Sequence, residues 1–260
     1  MIDFESKSNY GVYDLKKLME LLCGPDGCPW DSSQTHESIR RNMLEEAYEA
    51  AEAIDTGNME HLREELGDVL MQVVFHSEMA QKAGHFNLDD VADATCRKLI
   101  RRHPHVFGSQ RAKDGEQSLV FWDNIKREEK ELETVTEDME SVARSLPALW
   151  RAEKIQKKAA KAGFDWPEVS GALESLREEL LELEEALSSG VGIAEELGDL
   201  IFSAVNVARF AGIDPEEALG NSCDKFISRF GRLEKAVTER GEKLGDMTLE
   251  EMDKLYNQLK

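Results

Sequence analysis

Apolar residues recur at intervals of three and four along most of this chain, over 13–22, 39–54, 62–79, 88–100 and 119–132, and again over 173–187, 193–210, 218–237 and 249–259. That spacing returns side chains to one side of an α-helix, so it predicts a helix at each place. Strand-like alternation is absent from the sequence, and the expected fold class is all-α. Gly24-Pro25-Asp26-Gly27, Gly57-Asn58, His103-Pro104 and Asp165-Trp166-Pro167 fall between the periodic segments and predict loops. The acidic, weakly periodic stretch 134–147, closed by Pro147, reads as a linker between two modules at 8–133 and 148–260.

The polar positions repeat as well. Glu-Glu-x-x-Glu occurs at 45–49 and 178–182, and Glu-Glu-Leu-Gly-Asp follows at 64–68 and 195–199. Adding 133 carries Asn42, Glu45, Glu46, Glu49 and Ala53 onto Ser175, Glu178, Glu179, Glu182 and Ala186. Adding 131 relates the second motifs, and adding 127 carries Lys98 and Arg102 onto Lys225 and Arg229. The offset changes only between helices, as different loop lengths would produce, so the chain reads as two tandem copies of one bundle-like module.

On a helix, Ser175, Glu179, Glu182 and Ala186 share one stripe, with Leu173, Leu176, Leu180, Leu183 and Leu187 about a quarter-turn away. The leucines are expected to face the core and the glutamates to line its edge, with Glu178 toward solvent or a partner subunit. Glu196, Asp199, Ser203 and Asn206 make a polar row on the next helix. Two antiparallel helices of this kind bring four carboxylates around one or more hard cations, and oxygen-only donors point to Mg²⁺ or Mn²⁺. In a chain that is 33% charged, single acidic pairs such as Glu52 with Asp55 are ordinary solvated faces, so the conjunction of the two motifs carries the weight. A ferritin-like di-iron site requires Glu-x-x-His on two helices, which neither module supplies. Cys23 and Cys28 flank a turn without the second close pair that a zinc site needs. His103 and His105 read as structural or capping residues, and Trp30, Trp122, Trp150 and Trp166 as core or interface residues.

The net charge of −21 disfavours nucleic acid and anionic membranes as partners, and it means that a phosphorylated ligand would need bridging cations. No run approaches the roughly 18 apolar residues of a membrane span, the first ten residues are polar, and four cysteines are few for 260 residues. The expectation is a soluble cytoplasmic protein.

The doubled motifs resemble the MazG family of nucleoside triphosphate pyrophosphohydrolases, all-α enzymes, and in particular its two-domain bacterial members. Gly27-Cys28-Pro29-Trp30-Asp31, the run Arg101-Arg102-His103-Pro104-His105-Val106-Phe107, Arg144-Ser145-Leu146-Pro147-Ala148-Leu149 and Gly163-Phe164-Asp165-Trp166 extend the resemblance over about 15–259. It implies Mg²⁺-dependent hydrolysis of a nucleoside triphosphate to the monophosphate and pyrophosphate. Carried over by position, Glu179, Glu182, Glu196 and Asp199 would be the metal ligands, and Glu46, Glu49, Glu65 and Asp68 a possible second metal site in the N-terminal module. Lys225 and Arg229 would meet the phosphates, Glu178 and Asn206 would complete the substrate pocket, and Tyr256 would stand where the family has an aromatic residue, usually tryptophan. The general base falls to Glu178 or Glu179. Ser203 and Asn206 are replaced by Gln72 and Phe75 in the first copy, and in the relatives the C-terminal module is the catalytic one, so catalysis is expected there. Dimerisation through the modules is expected too, since a single module has few helices to cover its leucine faces. The competing readings are a phosphohydrolase acting on (p)ppGpp or a modified nucleotide, which keeps the metal site, and a helical regulatory or scaffold protein, which does not use it.

Overall fold

The computed structural model describes residues 4–259, and every regular element among them is a helix. The chain divides into two compact units between Lys126 and Arg127. The first holds α1 (Val12–Leu22), α2 (Pro29–Ser32), α3 (Arg40–Asp55), α4 (Met59–Lys82), α5 (Leu88–Arg102) and α6 (Pro104–Phe107), and α7 (Gly115–Glu129) runs across the division. The second holds α8 (Val135–Glu140), α9 (Ala148–Lys161), α10 (Val169–Ser189), α11 (Ile193–Ala211), α12 (Pro215–Glu239) and α13 (Leu249–Gln258), with a short 3-10 turn at Leu244–Asp246.

Each unit is organised around a tight helical hairpin, α3 with α4 and α10 with α11. The hairpin loops are the triplets Thr56-Gly57-Asn58 and Gly190-Val191-Gly192, short enough to force the helices antiparallel. Gly190 and Gly192 sit at φ 73° and 79°, the left-handed region in which a Cβ is strained, and so they let the chain reverse within three residues. Helix α1 packs on α4, and α9 packs on α11, as third helices in matching positions. In the first unit Met19, Cys23, Ile39, Val74 and Phe75 form the buried core. In the second, Leu233 and Val237 of α12 close over Leu255 of α13. Burying side chains of this kind contributes about 1.5–3 kcal/mol each.

Several expectations change. The leucine stripe of α10 is not its most buried face: the buried residues are Ala172 and Ala186, on the same stripe as Ser175, Glu179 and Glu182, while Leu173, Leu176 and Leu183 are half-buried and Leu180 and Leu187 are 46% and 59% exposed. Small side chains on that stripe let α10 and α11 approach until Ser175 Oγ lies 3.5 Å from Ser203 Oγ, which leaves Glu179 half-buried beside the contact and Leu180 and Leu187 exposed. The stretch 134–147 is not a featureless linker. Thr134 accepts from the backbone N–H of Glu137 to cap α8, α8 packs on α9, Asp138 pairs with Lys158, and Val142 is buried. The periodicity missed α9, because alanines, Ala152, Ala159 and Ala160, make up much of its apolar side while Arg151, Lys154, Lys157, Lys158 and Lys161 fill the other. Trp30 and Trp166 are exposed rather than core residues in their units, whereas Trp150 donates its indole N–H to Asp214 at 2.9 Å. His103 takes a structural role, with its ring bonded to the Leu99 carbonyl and lying edge-on to Trp122. No described helix is long and apolar enough to cross a membrane.

Candidate metal centre

The carboxylates meet where the two helices of each hairpin face one another. In the second unit, oxygens of Glu179 on α10 and of Glu196 and Asp199 on α11 lie within 4.8 Å of one another. Glu182, one turn beyond Glu179, lies near enough to Glu196 for its charge to act on that carboxyl. Burial first, then the charges of Glu182, Asp199 and Glu178, hold the Glu179 carboxyl above the usual carboxylate range. Burial, then the charges of Glu182, Asp199 and Glu195, do the same to Glu196. Three cations of this unit are paired with other acids, Arg209 with Asp165, Lys158 with Asp138 and Lys157 with Glu153. A half-buried group of acids that raise one another's pKa gains most from a divalent cation, so the donor set fits a hard metal ion.

The first unit repeats the arrangement with a difference. Oxygens of Glu46, Glu49 and Glu65 lie within 4.8 Å of one another, and Asp68 adds its charge to both Glu46 and Glu65. Glu65 is buried, and its Oε2 has no hydrogen-bond partner. Its other oxygen accepts from His61 Nε2 at 2.9 Å. Burial and Glu49 push the Glu65 carboxyl up, partly opposed by His61. This cluster also fits a cation.

The two sites sit at different depths in their second helices. Glu195 and Glu196 lie in the first turn of α11, whose N-cap Gly192 offers no side-chain cap. The unsatisfied N–H groups and positive dipole end of that turn favour an anion beside the carboxylates. Helix α4 begins one turn earlier relative to its motif, is capped by Asn58, and places His61 in that extra turn. Sequence reading paired the motifs but did not reveal this offset, which is legible only in the 134-residue shift between the helix starts Met59 and Ile193.

The remaining candidates are spread around the acids. Glu178 is exposed, just outside the cluster. Lys225 and Arg229 stand one turn apart on α12, the first exposed and the second half-buried. Tyr256 of α13 packs on Phe226, the neighbour of Lys225, with ring centroids 6.1 Å apart. Asn206 lines a cavity of about 440 Å³ together with Gln156, Phe164, Asp165, Trp166 and Phe202. Its Oδ1 accepts from Arg209 Nε at 2.9 Å, and Arg209 in turn forks onto both oxygens of Asp165. Sequence reading passed over Gln156, because it belongs to the unrecognised helix α9. In the first unit the position matching Asn206 is Phe75, buried in the core.

The profile of the MazG nucleotide pyrophosphohydrolase domain matches residues 34–107 and 168–232, one segment around each carboxylate hairpin. A Thermotoga maritima protein described as "Nucleoside triphosphate pyrophosphohydrolase/pyrophosphatase MazG" is 42% identical over 95% of this chain and 94% of its own length. An Escherichia coli protein described as "Nucleoside triphosphate pyrophosphohydrolase" is 41% identical over 95% of each. A Bacillus subtilis protein described as "Uncharacterized protein YabN" is 45% identical over 94% of this chain but only 50% of itself. Matched twice by the domain profile and nearly end to end by two of these relatives, the chain belongs to the MazG nucleotide pyrophosphohydrolase family, a family of hydrolases.

Proposed function

We propose that the protein hydrolyses nucleoside triphosphates to the monophosphate and pyrophosphate in a Mg²⁺-dependent reaction, with Mn²⁺ as a possible substitute, and that the C-terminal hairpin is its active site. The observation that carries this reading is the convergence of Glu179, Glu196 and Asp199 within 4.8 Å beside the uncapped first turn of α11. The names of the Thermotoga maritima and Escherichia coli relatives supply the reaction class.

Glu179, Glu182, Glu196 and Asp199 would hold the metal. When bound, a divalent cation supplies charge neutralisation for the phosphates and lowers the pKa of a nearby water. The protein's own groups do the rest. The first-turn N–H groups of α11 orient a phosphate, and Lys225 and Arg229 offset the charge gathering on the departing pyrophosphate. Glu178, exposed beside the cluster, takes the proton of the attacking water while Glu179 serves the metal. Tyr256 offers a ring to the nucleotide from α13, and Asn206 contacts its far end. The half-exposed Leu180, Leu187, Leu197 and Ile201 argue for a homodimer in which a second copy covers that face. All four cysteines are free thiols, and we place the protein in the cytoplasm with no nucleic acid or membrane partner.

The test is chromatography of a nucleotide panel that includes ppGpp, incubated with Mg²⁺ or with EDTA. AMP and pyrophosphate from ATP, in the Mg²⁺ samples alone, are expected. ADP and orthophosphate, or turnover confined to ppGpp, would overturn the reading.

A further inference from the structure

The segment 33–39, which leads from α2 into α3, is joined to α4 by a pair of histidines. Nδ1 of His36 lies 2.8 Å from Nδ1 of His76, 40 residues along the chain. The two rings are parallel within 3°, with centroids 5.1 Å apart. Nitrogens closer than the contact distance of stacked faces place the rings edge to edge, sharing one N–H···N bond. Among the described residues, every other hydrogen bond of this segment stays within 30–43, such as Ser38 Oγ donating to Gln34 Oε1 at 2.7 Å and the Ile39 N–H donating to the Thr35 carbonyl at 3.4 Å. Ile39 is the segment's apolar anchor in the core.

The bond places one proton between two nitrogens, and that limits how far the pair can be protonated. With both rings neutral, one Nδ1 donates and the other accepts. With one imidazolium, the charged ring still donates to the neutral one. With two, neither Nδ1 can accept, and like charges meet. The second charge meets resistance at His76, whose Nε2 is buried without a partner, so an imidazolium there would bury an N–H with no acceptor. His36 is exposed. Burial, then the charge of His36, accordingly hold the His76 ring below the ordinary histidine pKa. The charged groups around α4 face other partners. Glu78 and Lys82 of α4 pair with each other, Lys16 and Glu20 of α1 act on Glu78, Asp89 of α5 meets Lys16, and Glu46 and Glu49 of α3 face Glu65 and Asp68. Glu37, exposed beside His36, is bonded to Thr35.

We infer that His36 and His76 form a proton-operated latch on the segment leading into α3, closed with at most one extra proton and released when both rings are charged. Its contribution is complete above the unfolded histidine pKa, about 6.5, and is lost as pH falls through the lower folded value. Release frees 33–38 ahead of the helix that carries Glu46 and Glu49, while Ile39 remains as the anchor.

The test uses the full chain with isotope-labelled histidine, at about pH 7.5 and about pH 5, on either side of the ordinary histidine value. A scalar coupling between the two Nδ1 nuclei, transmitted only through a shared hydrogen bond, is expected at the higher pH and should vanish at the lower. Protection of amides 38–40 from hydrogen exchange should fall by about fivefold or more over the same step, the worth of one hydrogen bond. In His36→Gln, whose amide both donates and accepts but does not titrate, protection should be equal at the two pH values. His76→Phe, which keeps a ring and removes the bond, should leave it low at both. Absence of the coupling at the higher pH, equal wild-type protection at both, or a wild-type pH response in either folded variant would overturn the latch.

Discussion

The two hairpins carry the same four acids and differ in what surrounds them. At the C-terminal hairpin the motif opens α11, a helix end without a side-chain cap lies beside Glu196, and a cavity adjoins Asn206. At the N-terminal hairpin one more helical turn comes first, Asn58 caps it, and His61 is bonded to Glu65. Phe75 fills the place of Asn206 and packs with Met19, Cys23, Ile39 and Val74. A core thus fills in the first copy the position that a cavity adjoins in the second. The second copy keeps the cavity open, and its apolar face stays half exposed along Leu180, Leu187, Leu197 and Ile201. The comparison teaches that two copies of one carboxylate motif stand in different surroundings, and the proposal that the C-terminal one reacts rests on those surroundings.

The largest effect should come from the acids themselves. Glu179→Ala or Asp199→Ala should lower triphosphate turnover by at least about a hundredfold, because a displaced ligand misplaces the reacting centre. Glu46→Ala or Asp68→Ala should leave steady-state turnover within about twofold of wild type if the N-terminal site is not catalytic. Comparable losses in both pairs would break the asymmetry. A smaller effect belongs to the cations on α12. Lys225→Ala and Arg229→Ala should each reduce kcat/KM by about tenfold, the worth of one charged hydrogen bond, while Lys98→Ala on α5 should change it little. Equal effects from Lys98 and Lys225 would remove the argument for phosphate binding at one end only.

Much of this was legible in the chain. The helical period located nine helices, and the doubled motifs paired Glu46, Glu49, Glu65 and Asp68 with Glu179, Glu182, Glu196 and Asp199. The side of α10 that packs was not, because a leucine stripe normally marks the buried face of a single chain, whereas here Ala172, Ser175 and Ala186 permit closer contact. Helix α9 escaped because short alanines make up much of its apolar edge, and Gln156 escaped with it. Helix α8 had a readable sign, the Thr134 to Glu137 capping box, inside a stretch whose acidity suggested a linker.

The smallest predicted differences concern helix ends. Asn87 caps α5, and Asp214 caps α12 from the matching position. Replacing either by alanine should cost about 1 kcal/mol in denaturant unfolding. Burial raises the Asp214 carboxyl, but hydrogen bonds from Trp150 and from the backbone of Glu217 and Glu216 outweigh it and hold the pKa below the ordinary value. Its contribution is therefore complete above the unfolded pKa and is lost as pH falls through the lower folded one. The cost of Asp214→Ala should shrink on acidification below about pH 4, whereas that of Asn87→Ala should not. A pH-independent Asp214→Ala cost would contradict this account of the cap.

The central claim is that one hairpin performs the reaction. It is tested most directly by ATP turnover with Mg²⁺ in Glu182→Ala and Glu49→Ala, with AMP and pyrophosphate quantified for each. The expected result is that Glu182→Ala loses most of the product and Glu49→Ala retains most of it. Loss confined to Glu49→Ala, or no loss in either, would contradict the assignment of catalysis to the C-terminal hairpin.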